Sequence, residues 1–134
     1  MNSQKYLNNM IIPITPVSKP RQTKSDVWKK RPVVMKYRKF ADELRAFCKK
    51  HNFVPGEELE MEFHIPMPKS WSKKKKAEME GKPNRSRPDS DNLAKAVLDA
   101  LLPEDSTVWS LNIIKRWSRE GYIDLRNKYE RHTI

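Results

Sequence analysis

The clearest pattern along the chain is an alternation: Leu59, Met61, Phe63 and Ile65 interleave with Glu58, Glu60, Glu62 and His64. A period of two sends successive side chains to opposite faces, so this segment is predicted to be a strand with one buried face. Upstream, Tyr37, Phe40, Ala41, Leu44, Phe47 and Cys48 recur at helical spacing and predict a helix from about Met35 to Asn52, with Pro55-Gly56 punctuating its exit. Leu93, Val97, Ala100 and Leu101 form the apolar face of a second helix that begins after residue 90 and stops at Pro103. Met10 to Val17 reads as a short edge strand running into a loop, because Pro13 and Pro16 remove ladder donors. Two more strands are expected at Val108–Trp117 and Tyr122–Asn127, joined by a turn near Ser118-Arg119-Glu120-Gly121, with Trp109, Leu111, Ile113 and Trp117 sharing a face. Ser70-Trp71-Ser72 opens a short lysine-rich helix, and Gly81 to Pro88 is a loop.

These elements predict an α/β (α+β) fold: one small domain over residues 1–134, with a mixed or mainly antiparallel sheet of about four strands packed by two to three helices. Residues 10–34 form a basic N-terminal strand and loop, 69–87 a basic flap, and 128–134 a polar, frayed tail.

Composition adds a partner. Only 37% of residues are hydrophobic, so the core is modest and a symmetric second subunit is an economical source of extra burial. The net charge of +11 favours a polyanion. No apolar stretch approaches the ~20 residues of a membrane span, which favours nucleic acid over lipid. Cys48 is the only cysteine and lies on an apolar stripe, so it reads as a buried small hydrophobe, and its isolation suits a reducing cytoplasm. His51, His64 and His132 are scattered, and His64, on the polar side of its strand, is weighed as an ordinary surface histidine before a ligand or catalyst.

The charge is unevenly spread. Residues 19–39 carry a net +8, residues 69–87 a net +6, and residues 88–107 a net −4. Lys19, Arg21 and Lys24, the run Lys73, Lys74, Lys75 and Lys76, and Arg85 and Arg87 are the candidate DNA contacts, against the plainer reading of solvated loops and a solvated helix face. Trp71 is expected to anchor the lysine-rich flap rather than to stack on a base.

The acidic island is where chemistry is expected. At 100° per residue from Leu93, the apolar positions lie within about 80°, whereas Asp91, Lys95 and Asp99 lie between about 160° and 240°. A cap by Asp89 or Asp91 and an Asp91–Lys95 ion pair would explain part of the pattern. They leave Glu104 and Asp105 unexplained. Because the helix spans about 15 Å, those two acids join Asp89 and Asp91 only if the chain folds back after Pro103. Converging carboxylates repel one another unless a hard cation lies between them, which points to Mg²⁺, with Mn²⁺ able to substitute, and to metal-assisted phosphodiester hydrolysis with Lys95 on the phosphate.

The run Arg87-Pro88-Asp89-Ser90-Asp91-Asn92-Leu93, followed by Lys95, Asp99-Ala100-Leu101, Glu104-Asp105-Ser106-Thr107-Val108 and Lys115, resembles the RusA family of Holliday-junction resolvases, common in phages and prophages. Met67-Pro68-Lys69-Ser70-Trp71-Ser72 with its lysine run also resembles phage members. The resemblance implies a homodimer acting in the bacterial cytoplasm, Mg²⁺ dependence, and paired nicking of a four-way junction in DNA recombination and repair. Carried over by motif position, Asp89, Asp91 and Asp105 are the catalytic, metal-binding carboxylates, with Glu104 a further possible ligand, Lys95 the catalytic lysine and Asp99 a supporting group. The chain departs from the pattern in its short Leu102-Pro103 link and in Thr107, where glutamine is common. A noncatalytic basic nucleic-acid-binding module, or a flap or fork nuclease on the same fold, are the competing readings.

Overall fold

The alternating segment becomes the spine of the sheet. In the computed structural model, which describes residues 9–20 and 31–128 except for the side chain of Asp105, strand β1 is Asn9–Ile12, β2 Glu58–Pro66, β3 Ser110–Ser118 and β4 Tyr122–Asn127. Their order across the sheet is β1-β4-β2-β3. Strand β2 pairs antiparallel with β4 and parallel with β3, so the sheet is mixed; β1 lies at an edge, as expected, and is shorter than Met10–Val17 because it ends before Pro13. Arg21, Lys24 and the terminal residues 129–134 lie outside the described residues.

The last two strands meet the expected turn but do not pair with each other, since β2 runs between them. The crossover from β2 to β3 passes through two helices, which allows that pair to be parallel and leaves the other edge of β2 for β4. The turn must therefore bridge the width of β2, and it passes close to the segment after β1. A Cβ at Gly121 would come within 2.9 Å of the Thr15 Cα, so the close approach requires glycine there.

Helix α1 spans Pro32–Lys50, beginning three residues before the expected start at Met35 because Pro32 occupies its first position, where a missing N–H costs nothing. It ends in a paired hydrogen-bond motif, with Asn52 at φ 55° and Phe53 N–H donating to Cys48 C=O at 2.9 Å. Helix α2 is Lys73–Met79, capped by Ser72 accepting from Lys75 N–H, and helix α3 is Ser90–Leu101. One core joins Phe40, Ala41, Leu44 and Cys48 of α1, Leu93, Ala94, Ala96, Val97 and Ala100 of α3, and Leu59, Met61 and Phe63 of β2. The opposite sheet face is polar: His64 stacks on Tyr122 at 3.8 Å, Arg116 pairs with Glu62 at 2.7 Å, and Arg126 pairs with Asp124 at 2.6 Å.

Trp109 departs from expectation. It precedes β3 instead of sharing the face of Leu111, Ile113 and Trp117, and it is 68% exposed, with its backbone N–H tied to Glu57 C=O. Strand β3 is an edge, so helical cover fades toward its start, where Leu111 is also exposed.

Two outcomes test this packing. Leu93 is fully buried, and Leu93→Ala is expected to cost about 2–5 kcal/mol in urea unfolding. Burial pushes the Cys48 thiol up to about 11, so the native protein at pH 8 is expected to resist a thiol reagent until it is unfolded.

Candidate active site

The site is assembled around the N-terminus of α3. Its apolar face is pinned in the core, and the wheel then forces Asp91 and Lys95 into solvent, as the spacing predicted. Asp89 occupies the capping position at φ −66°, ψ 142°, but its side chain makes no capping hydrogen bond. The plainest structural role for this carboxylate is therefore unfilled. Among the described residues neither the Asp89 nor the Asp91 carboxylate has a hydrogen-bond or ion-pair partner, while the helix N-terminus favours negative charge there.

Lys95 turns away from Asp91 and lies 3.8 Å from Asp99, one turn further along. Asp99 also binds Lys19, whose backbone N–H reaches Asn92 C=O at 3.4 Å. The segment after β1 is thus strapped along α3, and the Lys19 charge is engaged within the protein. A cavity of about 410 Å³ adjoins this strap, lined by Tyr37, Arg38 and Arg45.

The loop ahead of Asp89 is fixed from the other side. Residues 81–84 run along the free edge of β3: Gly81 N–H donates to Trp117 C=O, Trp117 N–H to Lys82 C=O, and Asn84 N–H to Lys115 C=O, all at 2.8–2.9 Å. Lys115 then donates from Nζ to Pro88 C=O at 2.7 Å and to Ser86 C=O. Sequence reasoning gave Lys115 no role beyond its place in the motif. The available signal was its spacing: it falls between Ile113 and Trp117 on the inward side of β3, opposite Phe63 of β2, where a lysine needs acceptors.

Asp89 consequently stands on a ridge between two clefts. One, of about 440 Å³, is lined by Asn84, Arg85, Ser86, Arg87, Ser90, Ile113 and Lys115. The other, of about 630 Å³, runs between the segment after β1 and the start of α1, lined by Pro16, Val17, Ser18, Val33, Lys36, Arg87, Pro88 and Asn92. Lys36 is a cation at the site that the basic-segment reading did not single out.

Beyond α3, the chain makes a 3-10 turn over Asp105–Thr107. Glu104 accepts from Ser106 N–H at 3.1 Å, and this backbone bond holds its carboxyl below the usual carboxylate range. Among the described residues no three His, Cys, Asp or Glu side chains form a metal-sized group, and the Asp105 side chain lies outside that set. Asp89 and Asp91, exposed carboxylates without a described partner, are the donor chemistry a hard cation takes.

A family model for endodeoxyribonuclease RusA matches residues 13–126, nearly the whole chain. The chain belongs to the RusA family. No curated protein gives a significant match. In this RusA-family domain the flap is anchored as expected: Trp71 packs on Trp117 with ring centroids 4.8 Å apart, and Lys75 lies 4.2 Å over the Trp71 ring. Lys73 and Lys74 remain exposed on α2, as do Arg85 and Arg87 on the loop. His64 lies on the opposite sheet face from α3, stacked on Tyr122, with burial pulling it below the ordinary histidine value. No described helix is long and apolar enough to cross a membrane.

If Lys115 holds the loop, Lys115→Met is expected to raise amide hydrogen exchange across residues 84–90 while β2 and β4 stay protected, as read by mass spectrometry. Unchanged exchange in the loop would remove Lys115 from this role.

Proposed function

We propose that this RusA-family endodeoxyribonuclease is a Mg²⁺-dependent homodimer that resolves four-way DNA junctions by paired symmetric nicks, in recombination and repair within the bacterial cytoplasm. The observation that carries the reading is Asp89: a carboxylate at a helix N-terminus that does not cap the helix and stands between two clefts bearing Arg85, Arg87, Lys36 and Lys115. Such a ridge suits a DNA strand lying across it, with cations on both sides of the phosphate being cut.

In this reading Asp89 and Asp91 would hold the divalent ion together with Asp105 from the turn after α3, whereas Glu104, engaged by Ser106 N–H, is not grouped with Asp89 and Asp91. When bound, that ion supplies an activated water and neutralises charge developing on the phosphate. Lys95 donates to the phosphate from the solvent face of α3, with Asp99 orienting its ammonium. Arg85, Arg87 and the exposed lysines of α2 hold the DNA backbone, as do Arg21 and Lys24 of the basic N-terminal segment. Lys19 contributes by strapping the segment after β1 to α3. Two-fold symmetry of the dimer matches a four-way junction, placing one such site on each of two opposed strands.

Asp89→Asn and Asp91→Asn are expected to bind a labelled junction within a few-fold of wild type and to lose cleavage by at least about 10²-fold, the scale of removing a group that stabilises transition-state charge. Comparing junction, flap and linear duplex in the same assay separates a resolvase from a flap or fork nuclease. Either variant cutting at the wild-type rate would sink the assignment.

A further inference from the structure

The first half of β3 offers an unguarded edge to another strand. Strand β3 lies at one side of the sheet, and its outward backbone groups alternate with those that bind β2. Lys115 C=O and both backbone groups of Trp117 point outward and are taken by residues 81–84. By the same alternation the N–H and C=O groups of Leu111 and Ile113 point outward, and among the described residues they have no backbone partner. Folded proteins usually guard such an edge with a charge, a proline or a covering loop. Here Ser106 to Ile114 contains no charged residue in a chain that is 34% charged, and Trp109 and Leu111 are exposed beside the vacant groups. The opposite edge differs, since β1 has four residues and ends before Pro13.

The shape of the vacancy says what fills it. Residues 81–84 run antiparallel to β3 and end opposite Lys115, so the lane ahead of them accepts a strand of the same direction. Residues 109–113 of a second copy fit it. Paired about a two-fold axis, Leu111 meets Leu111 of the second copy and exchanges two hydrogen bonds, and each Ile113 N–H reaches the Trp109 C=O opposite. The uncharged stretch also lets two chains of net charge +11 approach where neither brings a cation. An axis relating antiparallel neighbours in one sheet is perpendicular to that sheet, so α1 and α3 of both copies lie on the same side. Ile113 lines the cleft beside Asp89, so both sites adjoin the seam and face one junction.

We infer that the vacant half of the β3 edge is the subunit interface: two copies pair β3 with β3, antiparallel over residues 109–113, and merge their four-stranded sheets into one continuous sheet. This rests on the reading of the protein as a homodimer and adds where the copies meet. Trp109 and Leu111, exposed in the single subunit, are covered in the pair and supply the apolar centre of the contact.

Sedimentation equilibrium of the full chain measures the association directly. Leu111→Pro removes an outward N–H and no bond to β2, and Leu111→Lys sets like charges opposite each other. Both variants are expected to keep the wild-type circular-dichroism spectrum and to weaken the dimer at least about tenfold, because each change counts twice at a two-fold contact. On oxidation Leu111→Cys is expected to give a covalent dimer, whereas Ile11→Cys, on the exposed edge of β1, is not; Cys48 is buried and stays out of the reaction. A dimer as tight in both Leu111 variants as in wild type, or one cross-linked through Ile11→Cys instead, would overturn the edge and leave the homodimer standing. A wild-type chain that is monomeric throughout the concentration range would overturn both. A dimer that dissociates as expected supports the interface even if wild-type protein cuts no branched DNA, an outcome that removes only the reading of Asp89.

Discussion

Burial of the apolar face of α3 is the constraint on which the site depends. Leu93, Ala94, Ala96, Val97 and Ala100 are each no more than 5% exposed, which fixes the rotation of the helix about its axis. At 100° per residue, that rotation leaves Asp91 and Lys95 no position except the solvent face. The ends are then secured by charge. Lys19 binds Asp99 on one side, and Lys115 gathers the carbonyls of Ser86 and Pro88 on the other. The acids can remain exposed because the helix is held by other residues.

This division of labour separates positioning from chemistry. Ion pairs near the site employ Lys19, Lys95 and Asp99, while Asp89 and Asp91 are left without described partners. A strongly basic chain would ordinarily neutralise such acids with neighbouring lysines or arginines. Here Arg85 and Arg87, both exposed, line the clefts beside Asp89 without an ion pair to it among the described residues. The flap that carries the lysine run is docked through Trp71 on Trp117, leaving Lys73 and Lys74 exposed.

Elements governed by local periodicity were legible in the sequence: the alternation of β2, the stripe of α1, the opposed faces of α3 and the Ser72 cap all follow from spacing within a few residues. Strand order was not legible, because placing β2 between β3 and β4 is decided by pairing between distant segments. The Trp109 error has the same origin, since period two reveals which face a residue takes but not how far the helices cover that face. Among site residues, Asp89, Asp91 and Lys95 stood out as a local reversal of sign. Lys115 did not: its spacing shows only that it lies on the inward side of β3, while its bonds to the Ser86 and Pro88 carbonyls depend on how the loop before α3 returns along that strand.

The most direct test uses wild-type protein and a four-way junction labelled on each strand, alongside a linear duplex of the same sequence, in Mg²⁺ and in EDTA. Paired nicks at symmetric positions on opposed strands of the junction, dependent on Mg²⁺ and absent from the duplex, are the expected result. A tightly bound junction left uncut in Mg²⁺ would contradict the reading of Asp89 and Asp91 as a catalytic site.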